Sequence, residues 1–385
     1  MERLWTKSFI GLTLTLFFLC FGFYILLPAL PLYIKQLGVA ESRLGLIIGG
    51  FTLSAVAARP FIGGLLDRHG RRIFIVAGLI VLTVATFLYS WASGILLLIL
   101  LRILHGLGWA MSTTSIGTSI TDVIPAQRRG EGMGWYGLSM TVSMAIGPIV
   151  GVWMVQNASF DRLFLLAACL SAVAIGIALL TKIPSIAVNK QTKMVFFEKT
   201  LLPLSAAAFF LALTYGGITT FVPLFAESIQ VNSGTFFLVY AIALTLTRPV
   251  AGKLTDRYGE AAIIIPSLVI TIAALVILSL SHGLSGVLCA AVLYGIGFGS
   301  AQPTLQTAAI NLVPSTKKGV ANASYFTAMD LGIGLGSIIL GLVSQYLGYL
   351  YLFAVCALSG FVSLVIFIGI RGSLLRREED KEVNV

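Results

Sequence analysis

The sequence predicts an all-α integral membrane protein of twelve transmembrane helices, arranged as two pseudo-symmetric six-helix bundles. Three observations predict it. Of the 385 residues 58% are hydrophobic and only 10% charged, a balance no water-soluble domain carries without large exposed apolar patches. Apolar runs of roughly twenty residues or more, enough to cross about 30 Å of hydrocarbon, recur about twelve times. The chain also repeats itself: Arg59, Pro60, Gly63, Asp67, Arg68 and Gly70 return 189 positions later as Arg248, Pro249, Gly252, Asp256, Arg257 and Gly259. The same offset carries Gly106 and Gly108 onto Gly295 and Gly297, and Pro125, Arg129 and Gly130 onto Pro314, Lys318 and Gly319. Two copies of one membrane bundle explain such a repeat most simply, and paired bundles are the usual scaffold of alternating-access transporters.

The expected spans of the first bundle, residues 1–182, are 8–34, 44–66, 73–92, 95–121, 131–156 and 161–182. The first is too long for a signal-peptide core and no small-residue cleavage site follows it, so it reads as a retained helix. Polar segments around Asp67 and Pro125 separate the second span from the third and the fourth from the fifth. A cytoplasmic linker is expected at 183–199, where Pro184, Asn189, Gln191 and several lysines interrupt the apolar pattern. The second bundle, 200–371, takes spans 200–226, 234–255, 261–281, 284–311, 319–346 and 349–371, followed by a cytoplasmic tail at 372–385 whose charges from Arg376 onward read as solvated and mobile. Near the start of each half the offset becomes 192, matching Pro31, Leu32 and Tyr33 to Pro223, Leu224 and Phe225, so one external loop is three residues longer than its twin. Cys20, Cys169, Cys289 and Cys356 each fall inside an apolar span and give neither disulfide nor metal spacing.

Lysine and arginine placement sets the orientation. With both termini cytoplasmic, only Lys35, Arg43 and Arg162 fall outside, and Arg59, Arg102 and Arg248 lie within spans. The net charge of +10 is therefore a topology signal. Its scatter over short loops argues against a nucleic-acid partner and for lipid headgroups as neighbours. The loops leave no room for a catalytic domain.

Between spans two and three runs Gly63-Gly64-Leu65-Leu66-Asp67-Arg68-His69-Gly70-Arg71-Arg72. Glycines suit a tight turn between touching helices, and a carboxylate among cations can lock helix ends together. The segment resembles the G-x-L-x-D-R-x-G-R-R signature of the major facilitator superfamily, at every defined position. The resemblance implies that Asp67 faces the start of span eleven near Gly319, that Arg68 faces Asp122, and that this latch stabilises the outward-facing state. The plainer alternative is a loop anchored at the headgroups. The second copy keeps Asp256 and Arg257 but has Glu260 in place of the basic residue and Asn311 in place of Asp122. The two latches are expected to be unequal, the second weaker.

Arg102 lies about 12 Å inside the bilayer, a position functional by default. With His105, Gly106, Gly108 and Ala110 it is similar to the family's R-x-x-Q-G-x-G-x-A motif, which implies proton coupling or substrate binding. His105 replaces the glutamine; it is expected either to titrate or to serve as a hydrogen-bonded structural histidine. Span five holds Gly134, Ser143, Gly147, Pro148 and Gly151, spaced for close helix approach with a bend. It resembles the antiporter hinge of the twelve-helix drug:proton exporters, with Val152 in place of the last glycine. Ordinary helix packing is the alternative.

Asp330 is the carboxylate found in the middle of a span, and it is expected to exchange a proton for cargo. The plainer alternative is a static partner for Arg102 or a hydrogen bond to the glycine-rich backbone. Arg59 and Arg248 read as structural residues snorkelling to the interface. Tyr24, Trp109, Tyr136, Tyr215, Tyr240, Phe298, Gln302, Gln306 and Tyr325 lie on spans that the resemblance implies line the central cavity, where they are candidates to hold a moderately apolar cargo.

The sequence therefore predicts a proton-coupled exporter of a small molecule in the cytoplasmic membrane, working as a monomer and needing no cofactor. The G-x-x-x-x-G-K-[ST] loop of nucleotide-driven pumps is missing, which leaves the proton gradient as the energy source. Import of a sugar or organic acid by proton symport is the rival transporter reading. A membrane enzyme or receptor is disfavoured because no nucleophile, metal set or acid pair clusters on a common loop. The cargo tilts toward neutral, anionic or zwitterionic molecules, since the first span carries no acid while Arg102 and His105 add positive character.

Overall fold

The computed structural model describes residues 3–37, 41–92, 94–183 and 198–382, and among them all regular structure is helical. The long helices are α1 (Lys7–Gln36), α2 (Glu41–His69), α3 (Arg72–Leu88), α4 (Ile95–Val123), α5 (Arg129–Asn157) and α6 (Phe160–Leu180), then α7 (Leu202–Ser228), α8 (Ser233–Tyr258), α9 (Glu260–Ser279), α10 (Leu284–Asn311), α11 (Lys318–Leu347) and α12 (Tyr349–Glu382). The described residues hold twelve helices long and apolar enough to cross a membrane. Residues 184–197, most of the expected linker, lie outside the described residues, as do 383–385. The helix α12 continues to Glu382, through most of the expected tail. Residues 376–382 are all arginine, glutamate, aspartate or lysine, mostly good helix formers.

Two compact units form: Met1–Pro125 with Tyr136–Phe197 and Thr316–Ala323, and Ala126–Trp135 with Glu198–Ser315 and Ser324–Val385. Each follows the same plan. In the first, α4 packs against α2 and α3, and α6 against α1 and α3; in the second, α10 packs against α8 and α9, and α12 against α7 and α9. Glycines allow the approach at matching places. A Cβ on Gly108 would stand 2.8 Å from the Gly78 carbonyl, and one on Gly297 would stand 2.7 Å from that of Ser267, 189 positions on in each case. The first unit also contains the opening turns of α11, and the second those of α5.

The polar run of α4 from Ser112 to Thr121 is buried. Most of its hydroxyls bond back one turn, among them Thr113 to the Trp109 carbonyl at 2.7 Å, Thr118 to Thr114 at 2.8 Å and Ser119 to Ser115 at 2.7 Å. Hydroxyls satisfied by their own helix can be buried at little cost.

Candidate functional site

The α2–α3 turn carries the first cluster. Gly70 adopts φ +87, a left-handed backbone that favours glycine, and its N–H closes the end of α2 onto the Leu66 carbonyl at 3.1 Å. The turn places Asp67 against the start of α11, where its carboxylate accepts from Gly319 N at 3.0 Å and Val320 N at 3.1 Å. These are N-terminal amides of a helix, whose dipole also favours the negative charge. The approach depends on glycine on both sides. A Cβ on Gly63 would lie 2.6 Å from that of Ala323, and one on Gly319 would lie 2.7 Å from the Gly63 carbonyl.

The cation that meets Asp122 is Arg71, which corrects the expectation for Arg68. Arg71 Nε stands 3.2 Å from Asp122 Oδ2 and Nη2 3.6 Å from Asp67 Oδ1, while Arg68 is exposed. The reversal of direction at Gly70 turns the residue after it, not the one two before, back toward α4. Lys318, marked in the sequence only as the repeat equivalent of Arg129, donates to Asp122 Oδ1 at 2.8 Å and to the Thr121 carbonyl at 3.1 Å. Two carboxylates and two cations therefore alternate through this cluster.

The second cluster repeats the first with its polarity rewired. Gly259 takes φ +82, and Asp256 accepts from Gly130 N at 2.6 Å and Glu131 N at 2.8 Å, at the start of α5. Glu260 and Asn311 occupy the places of Arg71 and Asp122, and Arg129 that of Lys318. Asn311 Nδ2 donates to Glu260 Oε1 at 2.6 Å, and Asn311 Oδ1 accepts from Arg129 Nη1. An amide both donates and accepts, so asparagine joins an acid to a base where the first copy joins two bases through an acid. Arg128 adds a 2.7 Å ion pair with Glu131. Arg257 turns away, its guanidinium 5.1 Å from the Tyr258 ring centroid.

Arg59 and Arg248 are buried, the former only 1% exposed, so neither snorkels. Arg59 Nη1 donates to the Thr113 and Thr114 hydroxyls at 3.1 and 3.0 Å, and Arg248 Nη2 to Gln302 Oε1 at 2.7 Å. Thr113 and Gln302 are equivalent positions. A planar, many-donor guanidinium is held here by neutral acceptors lodged in the next helix but one.

An aromatic cluster lies higher in each unit. In the first, Phe23 sits 4.3 Å from Trp109, ring centre to ring centre, and Phe51 5.4 Å from His105; Arg102 lies over Phe51 at 4.8 Å, and the hydroxyl of Tyr89, another residue not foreseen, lies 3.2 Å from His105 Nδ1. In the second, Tyr215 stacks on Phe298 at 5.0 Å and Tyr240 lies 5.7 Å from Tyr294. Tyr325 Oη donates to the Gln302 carbonyl at 2.8 Å, and Gln306 is buried on α10. The aromatic positions are duplicated, but Arg102 and His105 are matched by Ala291 and Tyr294, and Asp330 by Thr141. Asp330 is half-buried on α11 of the second unit.

The residues grouped as a hinge separate. Gly147 meets Tyr24, such that a Cβ added to the glycine would stand 2.6 Å from the tyrosine Cβ, and Gly151 meets Ile25, so this stretch of α5 with its half-buried Pro148 lies on α1. Gly134 instead packs on the Arg248 carbonyl, 2.6 Å from where its Cβ would fall, within the second unit and beside the second cluster. Tyr136 is buried near Arg59.

A family model of the Major Facilitator Superfamily matches residues 12–337 and 204–384. The chain is 25% identical over 364 residues to the staphylopine export protein of Staphylococcus aureus, a match that covers 88% of this chain and 89% of that protein. It is 25% identical over 369 residues to multidrug resistance protein 1 of Bacillus subtilis, 92% and 94% covered. Among solved structures, the human organic anion transporter MFSD10 superposes with a TM-score of 0.80 at 14% identity, covering 94% of this chain and 98% of that one, a likeness of fold.

Proposed function

We propose that this chain, which belongs to the Major Facilitator Superfamily and is a transporter rather than an enzyme, exports a small molecule across the cytoplasmic membrane in exchange for protons. The observation that carries the coupling is an asymmetry of the duplication. The carboxylates that hold helix starts, Asp67 and Asp256, and the buried arginines Arg59 and Arg248 occur in both copies, whereas Arg102, His105 and Asp330 occur once. Charged groups in a membrane-spanning helix are costly and persist where they act. Asp330 exchanges a proton for cargo, and Arg102 serves coupling or cargo binding.

Export is favoured over import because both relatives above are named for export or drug resistance. Alternating access supplies the cycle. The two carboxylate clusters act as latches on the starts of α11 and α5, made in one state and broken in the other, and the glycines of α5 against α1 act as the pivot. Tyr24, Trp109, Tyr136, Tyr215, Tyr240, Phe298, Gln302, Gln306 and Tyr325 are the candidates to hold the cargo. Both termini lie in the cytoplasm, the chain acts as a monomer among anionic lipids, and the proton gradient takes the place of a cofactor.

A cell lacking its own drug exporters, expressing this chain, tests the reading. Accumulation of a panel of dyes and antibiotics should fall relative to a strain expressing Asp330→Asn. Equal accumulation in the two strains, at matched expression, would remove the role given to Asp330.

A further inference from the structure

At one end of the first unit the starts of α1 and α3 are tied to the end of α6. Arg72 Nη2 donates to the Leu179 carbonyl at 2.7 Å, and the Ser8 hydroxyl donates to the Lys182 carbonyl at 2.6 Å. A Cβ on Gly11 would stand 2.9 Å from Thr181 Cγ2, so α1 and α6 touch at the same place. These ties gather three cations: Lys7 beside Ser8, Arg72 itself, and Lys182, about one turn beyond Leu179. All three side chains are exposed.

Among the described residues none of the three forms an ion pair. Asp67 and Asp122, the acids of the adjoining latch, are committed to Arg71, Lys318 and the start of α11. The chain that leaves Lys182 brings no acid before Glu198. Like charges on neighbouring helix ends repel until an anion joins them. Arg72 can serve it, because a guanidinium has five N–H donors and the Leu179 carbonyl takes one.

The second copy makes the same helix ends without this trio. Lys199 and Arg371 stand for Lys7 and Lys182, but Ala261 stands for Arg72, with the acid Glu260 before it. Depth and surface then indicate which anion fits the first copy. Residues Arg72–Trp91 form one 20-residue span, about 30 Å long, with both end residues exposed, so Arg72 stands at headgroup level. Trp5, 51% exposed, packs on Phe9 two residues before Lys7, a placement that suits the same interface. Beside the cations Ile73 and Leu180 are 67% and 88% exposed, an apolar surface for acyl chains.

We propose that Lys7, Arg72 and Lys182 form a binding site for one anionic phospholipid. Its phosphodiester accepts from the remaining N–H groups of Arg72 and from the two ammonium groups, and its chains run over Ile73 and Leu180. A zwitterionic lipid brings an ammonium group that the three cations repel, so the site selects by net charge. A bound lipid joins the ends of α1, α3 and α6. The site depends neither on the direction of transport nor on the proton.

Trp5 is the reporter for a test on the full-length protein in nanodiscs of phosphatidylcholine. Its fluorescence, taken as the difference between the native protein and Trp5→Phe, is quenched by brominated phosphatidylglycerol or brominated phosphatidylcholine added at equal mole fraction. The brominated anionic lipid should be preferred at least about tenfold, since each cation near a charged headgroup is worth about fivefold. The double variant Lys7→Gln with Lys182→Gln keeps the backbone ties and should cut the preference about fivefold or more. Arg72→Gln should also cut it about fivefold, whereas Arg72→Lys, which keeps the charge, should retain most of it. Lys199→Gln, at the equivalent place in the second copy, should leave it unchanged. Equal quenching by the two lipids, an unchanged preference in the double lysine variant, an equal loss in Arg72→Lys and Arg72→Gln, or a matching loss in Lys199→Gln would each overturn the proposal. So would a native protein without preference that gains one when residues 376–385 are deleted, because the acidic end of the chain would then be the occupant.

Discussion

Asn311 donates its amide to Glu260 Oε1 at 2.6 Å where the equivalent Asp122 accepts from Arg71 at 3.2 Å. The duplicated latch has thus exchanged a base for an acid at one position and an acid for an amide at its partner. Neither exchange is tolerable alone. An aspartate at 311 would set two carboxylates against each other, and an arginine at 260 would lose its acceptor charge.

Asn311→Asp should therefore destabilise the protein, because Glu260 loses its donor and meets a second carboxylate, although the new acid keeps the Arg129 guanidinium as a partner. The double variant Asn311→Asp with Glu260→Arg, which recreates the first copy's pair, should recover most of it. Thermal melting of the four proteins in detergent completes the cycle. Additive losses would show that the two residues are not coupled.

The carboxylates on the helix starts make a second prediction. Asp67→Ala removes two hydrogen bonds, to Gly319 N and Val320 N, and a charge at a helix N-terminus. A loss of about 1–3 kcal/mol is expected. Asp256→Ala should behave alike, because its bonds to Gly130 N and Glu131 N are as short. A much smaller loss at Asp256, measured by melting, would restore the view that the second latch is weak.

Glycine contact at the first latch predicts a size limit. A methyl on Gly63 would fall 2.6 Å from the Ala323 Cβ and 2.9 Å from the Gly319 carbonyl. Gly63→Ala should lower the melting temperature, with about 1–3 kcal/mol typical of overpacking. Adding Ala323→Gly should restore only part of it, since the carbonyl contact remains. An unchanged melting temperature in Gly63→Ala would show that the helices meet less closely than this.

Arg59 yields a fourth. Its guanidinium reaches two hydroxyls at once, Thr113 and Thr114. Arg59→Lys keeps the charge but not the planar donor array, so it should melt earlier than the native protein. Were the side chain only a snorkelling charge, lysine would serve equally well.

Much of the architecture is legible in the residues alone. Helix number and pairing follow from apolar runs and from the 189-residue repeat, because length and patterning dictate both in lipid. The meeting of Asp67 with the start of α11 follows from the signature. Which arginine reaches Asp122 does not, since Arg68 and Arg71 flank one turn and only the left-handed backbone at Gly70 decides between them. Arg59 and Arg248 mislead because an arginine before a proline near a span end looks interfacial; the matched acceptors Thr113 and Gln302, 189 residues apart, are the signal that corrects it. Tyr89 gives no signal at all, being one aromatic residue at the end of an apolar span.

The measurement closest to the central claim uses inverted membrane vesicles that acidify internally and report their pH through a dye. Addition of an exported compound should discharge the gradient in vesicles carrying the native chain and leave it intact with Asp330→Asn. Discharge of equal size by the variant, or none by the native chain with a compound it demonstrably transports, would contradict proton-coupled export.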